Sequence, residues 1–239
     1  MSEVPYPGKE LELFATAMVW KQYLARHIKP FLGKRVLEVG AGVGGTTRVL
    51  IPFSTGEWWC LEPDRKLAGA IERLITTGEL PGRCHLQHGT LADLSPDQAF
   101  DTLLYIDVLE HLKDDQEELN SAAQRLTPSG HLVVLSPAHQ KLFSPFDAAI
   151  GHYRRYDRES LGSLTPQGLH LIRLIYLDSV GLLVSIGNRF LLRQAMPSPW
   201  QIALWNGILL RLSHWFDPLI NYRLGKSILA VWQKAPARG

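Results

Sequence analysis

Cysteine is scarce in this sequence, long uncharged apolar runs are missing, and no repeat or low-complexity tract occurs. The two cysteines, Cys60 and Cys84, cannot build a disulfide framework. They form no C-x-x-C pair, which excludes a cysteine-rich zinc site, and no metal is expected. No stretch reaches the roughly 18 uncharged apolar residues that a membrane-spanning helix needs. Residues 174–192 come nearest, but Asp178, Asn188 and Arg189 interrupt them. The opening MSEVPYPGKE is polar and lacks a signal-peptide core, so a reducing, cytoplasmic setting is expected. With 46% hydrophobic and 20% charged residues over 239 positions, a disordered chain, a collagen-like repeat and a coiled-coil rod are also excluded.

The net charge of +2 hides an asymmetry. Residues 1–161 are acidic on balance, whereas residues 162–239 carry eight Lys and Arg against only Asp178 and Asp217. This basic part is also rich in Leu, Ile and Trp. It reads as core-forming helix with solvated arginines, or as a surface for lipids or anionic substrates. Its basic residues are scattered, so no nucleic-acid partner is expected.

Hydrophobic periodicity predicts helices before Pro30, on Leu11, Phe14, Met18, Leu24 and Ile28. Strands are expected at 35–39, 57–61, 84–88, 100–106 and 131–135, with helices at 65–76 and about 116–126. Pro128-Ser-Gly130 is expected to turn the chain into the fifth strand. Alternating strands and helices imply right-handed crossovers and a parallel sheet covered on both faces. Two further strands, at 169–177 and 227–233, are separated by residues with helical periodicity. Ile202, Trp205, Leu209, Leu212 and Phe216 are expected on one buried face of that insertion. The whole chain, 1–239, is read as one domain. Residues 1–32 form N-terminal helices, 33–178 and 225–234 the core sheet, and 179–224 the insertion.

Gly40-x-Gly42-x-Gly44-Gly45 follows the first strand. Glycines there let a ligand approach the backbone, and the following helix start offers N–H groups. Glu38 lies two residues before Gly40. A carboxylate repels a pyrophosphate but suits a ligand carrying an ammonium and a sulfonium. Glu62 ends the second strand, where a carboxylate accepts hydrogen bonds from ribose hydroxyls. Glu62 alone does not separate a dinucleotide site from an S-adenosylmethionine site. Glu110 and His111 are read as capping the next helix.

Taken together, Val36-Leu-Glu-Val-Gly-Ala-Gly-Val-Gly44, Leu61-Glu-Pro-Asp64, the segment from Phe100 through Asp107-Val-Leu-Glu-His-Leu112, and Leu126-Thr-Pro-Ser-Gly-His-Leu132 resemble the ordered motifs of class I S-adenosylmethionine-dependent methyltransferases. The resemblance covers about residues 33–137. It implies an α/β fold with a doubly wound, seven-stranded, mostly parallel sheet whose last strand is antiparallel, and S-adenosyl-L-methionine as cofactor. By the same resemblance, Gly40 and Gly42 would pack under the methionine part and Glu38 would orient its ammonium. Glu62 would bind the ribose, and Tyr105, Ile106 and Asp107 would line the methyl end. Thr90, or backbone at Leu91, would have to serve the adenine, because the usual aspartate motif reads His88-Gly-Thr-Leu91 here. Trp20 and Lys21 lie where family members close the N-terminal helix over the cofactor.

Acceptor residues are sought after the fifth strand. His139 and His152 are candidate general bases, since histidine titrates near neutrality. Arg154 and Arg155 offer planar forks for a phosphate or carboxylate, with Tyr156 beside them. The alternative is that the arginines pair with Asp147, Asp157 or Glu159 and the tyrosines pack. Similar His-x-Arg-Arg-Tyr segments occur in bacterial methyltransferases of undefined substrate. The expected activity is methyl transfer to a small-molecule or lipid- or sugar-linked, anionic or neutral, acceptor. The competing readings are an NAD(P)-dependent oxidoreductase and a non-catalytic cofactor-binding protein. For residues 179–224 the preferred role is a roof over the acceptor pocket; peripheral membrane contact and dimerisation are the others.

Overall fold

A computed structural model describes residues 17–187 and 199–237. Leu11, Phe14, Arg189, Phe190, Leu191 and Arg193 lie outside the described residues. Seven strands form one sheet: β1 (Arg35–Val39), β2 (Glu57–Glu62), β3 (Cys84–His88), β4 (Phe100–Ile106), β5 (Leu126–Pro137), β6 (Leu169–Leu177) and β7 (Ser227–Lys234). Their order is β3-β2-β1-β4-β5-β7-β6. β7 runs antiparallel between β5 and β6, and all other pairs are parallel.

The central strands are apolar on both faces because helices cover both. On one side, Leu37, Leu103, Leu119, Leu132 and Trp232 join a core under α4 (Asp115–Gln124) and α6 (Arg158–Ser163). On the other, Val36, Trp58, Leu104, Val133 and Val231 pack under α1 (Met18–Ile28) and α3 (Arg65–Thr76). Helix α3 starts where Asp64 Oδ1 accepts the N–H groups of Lys66 and Leu67. Between β1 and α3 lies the short α2 (Thr47–Leu50), and after β5 the short α5 (Pro145–Ala149).

Two local expectations are corrected. The Pro128-Ser-Gly130 turn is absorbed into β5, which starts at Leu126 and pairs there with Phe100 before a register shift. The helix expected to 126 therefore stops at Gln124.

The insertion after β6 contains α7 (Ser179–Gly187), α8 (Pro199–Leu204), a π-helical turn (Trp205–Leu209) and α9 (Leu210–Leu219). Its expected buried face is also corrected. The π turn adds one residue to the helix, so beyond it Leu210, Ser213 and Asp217 face inward. Leu212 and Phe216 face out. The inward polar groups are fully used. Ser213 Oγ and Trp205 Nε1 both donate to Asp178, at 2.7 Å, and Asp217 accepts from Tyr23 of α1 and from the backbone of Asp178 and Ser179. Consequently the outer face is apolar: Trp200, Ile208, Trp215, Phe216 and Leu219 are exposed, beside exposed Arg211 and Arg223.

Candidate active site

The glycine turn follows β1 with positive φ at Gly40, Gly42 and Gly44. A side chain at Gly40 would meet Val108 at 2.6 Å, and one at Gly44 would meet Leu74 at 2.9 Å, so these glycines are fixed by packing. At Gly42 a Cβ would meet nothing within 4 Å, so this part of the turn borders open space. Gly42 is held from behind. Its N–H donates to Glu62 Oε2 at 2.7 Å, while Glu62 Oε1 accepts from Asp64 N–H at 2.9 Å. Burial pushes the Glu62 carboxyl up to about 7, against the pull of these two N–H groups. Glu38 also rises to about 7 through burial, although Oε2 accepts from Thr47 Oγ1 and Trp58 Nε1. Two desolvated carboxyls behind an open glycine turn suit a ligand that brings hydroxyl donors and positive charge. S-adenosylmethionine has both.

The other proposed cofactor residues fall around the ends of α1, β3 and β4. Trp20 is buried against Trp205, with ring centroids 6.0 Å apart. Lys21, next to it, lies in the field of Asp107 and Glu38; burial lowers its pKa. Thr90 N–H and Oγ1 both donate to Asp93 Oδ2, and Leu91 O accepts from Arg125. Asp93, which the sequence reading did not single out, therefore organises this loop. Tyr105 is fully buried and donates to Glu118, so it offers the site only its backbone. Ile106 is half-buried at the strand end, and Asp107 follows with φ +55°. The Asp107 side chain is exposed, yet the protein packed around it raises its carboxyl to about 6, opposed by His152, Lys21 and Lys226.

Around Asp107 the chain gathers residues from four segments. Glu110 and His111 sit in a 3₁₀ turn (Leu109–His111) directly after β4 rather than at a helix cap, which corrects their expected role. Glu110 is fully buried and accepts from Ser136 Oγ of β5 at 3.0 Å. His152 comes from the loop after α5. Its Nδ1 lies 3.1 Å from Asp147 Oδ1, and its ring meets His111 edge-on at 4.5 Å. Lys226 precedes β7 and holds its Nζ 4.8 Å over the Trp205 ring. No local sequence signal marks Lys226, whereas Asp147 is among the partners expected for the arginines and pairs with Arg155.

The remaining acceptor candidates are tied into the protein. Arg154 donates to Asp115 Oδ2 at 2.7 Å and to Lys113 O. Arg155 grips Asp147 with two hydrogen bonds, at 2.9 and 3.0 Å. Tyr156 is buried with its hydroxyl on Asp115. His139, at φ +65°, stacks on Tyr176 with its Nε2 3.0 Å from Gly225 O. Of the five, only His152 lies in the cluster beside Asp107.

Residues 15–167 match a family described as a methyltransferase domain. The chain belongs to this family. The matched region is a methyltransferase domain, and the chain has the Rossmann-like fold of that family. It is similar to the demethylmenaquinone methyltransferase of Tropheryma whipplei (strain Twist), with 31% identity over 146 residues. That match covers 61% of this chain and 57% of the relative. Among solved structures, a putative sarcosine dimethylglycine methyltransferase from Galdieria sulphuraria shares 18% identity at a TM-score of 0.62, over 91% of this chain and 85% of the other. A Haemonchus contortus phosphoethanolamine N-methyltransferase 2 in complex with S-adenosyl-L-methionine shares 17% at 0.63, over 96% and 58%. At these identities the structural likeness speaks for the fold alone. Among the described residues of this methyltransferase, no helix is long and apolar enough to cross a membrane.

Proposed function

We propose that this methyltransferase acts on a small acceptor with an apolar tail, drawn from an anionic membrane surface. The observation that carries this reading is the outward apolar face of the insertion. Trp200, Trp215 and Leu219 are each at least 65% exposed, and Arg211 and Arg223 lie beside them. Tryptophan and arginine around an apolar helix face suit the boundary between headgroups and acyl chains. The net positive charge of residues 162–239 complements anionic lipid. A relative named for demethylmenaquinone fits an acceptor of this class.

S-adenosylmethionine supplies a methyl group already made electrophilic by its sulfonium, so the chain mainly positions the partners. Glu62 would accept hydrogen bonds from the ribose hydroxyls, Glu38 and the Gly40–Gly42 turn would hold the methionine end, and Ile106 and Asp107 would border the methyl. Trp20 and Lys21 cover the site from α1. The bound donor would supply the methyl group to the acceptor heteroatom, the electron pair of the broken carbon–sulfur bond staying on sulfur. A hydroxyl acceptor would lose its proton, with Asp107 placed to receive it. Lys21 and Lys226 flank an anionic group. Arg155 positions His152 through Asp147, Arg154 and Tyr156 tie the loop to Asp115, and His139 with Tyr176 supports it.

Sedimentation with vesicles tests the surface. Binding to phosphatidylglycerol-containing vesicles is expected, weaker at moderate salt and lost in Trp215→Glu/Leu219→Glu. Absence of binding at low salt, or binding unchanged in the double variant, overturns the membrane reading. Incubation with methyl-labelled donor and a lipid extract tests the acceptor; label confined to the aqueous phase overturns an apolar tail.

A further inference from the structure

We propose that Glu110, His111 and His152 form a binding site for one divalent transition-metal ion, of the zinc, manganese or ferrous class, beside the methyl-transfer recess. One ligand atom from each residue lies within 4.8 Å of the other two. Two come from the 3₁₀ turn after β4, and the third crosses from the loop at 151–156.

A second observation points into the same space. Glu110 is 0% exposed, and only its Oε2 is bonded, by Ser136; Oε1 has no hydrogen-bond partner. A bare carboxylate oxygen in a protein interior is costly unless something positive reaches it. The facing atom is His152 Nε2, at 3.9 Å, too far for a hydrogen bond. On the other side of that ring, Asp147 lies 3.1 Å from Nδ1. Asp147 is held in turn by two hydrogen bonds from Arg155. With Nδ1 turned to Asp147, Nε2 is the ring nitrogen that faces Glu110 Oε1. A cation about 2.0–2.2 Å from each atom bridges that gap after a small inward movement.

His111 completes the set. Its ring meets that of His152 edge-on at 4.5 Å, and it hydrogen-bonds the Gly151 carbonyl. Each of the three residues is thus oriented by a partner of its own: Ser136, the Gly151 carbonyl and Asp147. Such outer partners characterise metal-binding histidines and carboxylates. Two imidazoles and one carboxylate favour zinc, manganese or ferrous iron over calcium or magnesium. Three protein ligands leave positions open for an acceptor oxygen, whose proton the ion would make easier to lose. That use of the ion rests on the methyl-transfer reading, whereas its binding does not.

The competing occupant of the gap is a proton on Glu110, and direct titration separates the two. The full chain, stripped with a chelator, is titrated with Zn2+ and with Mn2+ by calorimetry, and S-adenosylhomocysteine is titrated in parallel. One equivalent of metal is expected. Glu110→Gln, His111→Gln and His152→Gln should each weaken it at least tenfold, and Asp147→Asn about 10–100-fold. Stripped protein that binds S-adenosylhomocysteine but neither metal overturns the site and leaves the methyltransferase reading intact. Metal uptake without S-adenosylhomocysteine binding counts against that reading and not against the site. Unchanged metal affinity in both histidine variants also overturns the assignment, and if those variants fail to fold the wild-type titration still decides.

Discussion

The hydroxyl of Tyr23 donates a 2.6 Å hydrogen bond to Asp217, tying helix α1 to helix α9 across 194 residues of sequence. Helix α1 also carries Trp20 and Lys21, so the insertion after β6 sets the position of the segment proposed to cover the cofactor. Tyr23→Phe should cost about 1 kcal/mol, because Asp217 keeps its two backbone donors. Asp217→Ala should cost about 3 kcal/mol or more, because three donors lose their acceptor. Urea unfolding of both variants measures the difference, and equal losses would contradict this account.

Binding of S-adenosylhomocysteine should strengthen as pH rises from about 6 to 8. In the proposed site the ribose hydroxyls bond the ionised form of Glu62, whose carboxyl is raised to about 7 in the free protein. Below that pH a proton must leave before binding. The same raised value makes free-protein stability highest in acid with respect to this group, and lower as pH rises from about 4.5 to 7. Glu62→Gln should flatten the pH dependence of binding and weaken it by roughly 1.5–3 kcal/mol at pH 8. Calorimetry at three pH values is the check; an unchanged slope in the variant would remove Glu62 from the cofactor site.

Arg155→Ala should lower unfolding free energy by about 3 kcal/mol, because it leaves Asp147 buried with one charged partner fewer. Affinity for S-adenosylhomocysteine should not change. Arg154, a third exposed, should cost about 1 kcal/mol on the same substitution. A variant at Arg155 with full stability and a raised acceptor KM would instead place its guanidinium on the acceptor.

Where local pattern carries the information, the fold was legible. The strands at 35–39, 84–88, 100–106 and 169–177 and the helix at 65–76 were readable residue for residue, because alternation, glycine turns and the Asp64 cap all act within a few positions. The glycine turn and Glu62 were legible for the same reason. Contacts between distant segments were not. Arg154 finds Asp115 at a separation of 39 residues, and His152 faces Glu110 across 42. Nothing in either neighbourhood encodes those meetings. Arg154 and Arg155 were therefore open to two readings, and Glu110 passed for a helix cap. The buried face of α9 was missed because a 3.6-residue period assumes an unbroken α-helix.

The wide turn at Trp205–Leu209 makes this helix tolerant of length change at one place only. Removing a residue there, such as Gly207, converts five residues of π-helix to ordinary α-helix and leaves Leu210, Ser213 and Asp217 pointing where they point now. The same deletion at Leu212 rotates everything after it by about 100°, carrying Ser213 and Asp217 to the outside and cutting the anchors of Asp178 and Tyr23. Among natural variants of this chain, single-residue gaps in the helix should therefore collect within 205–209 and be absent from 210–217.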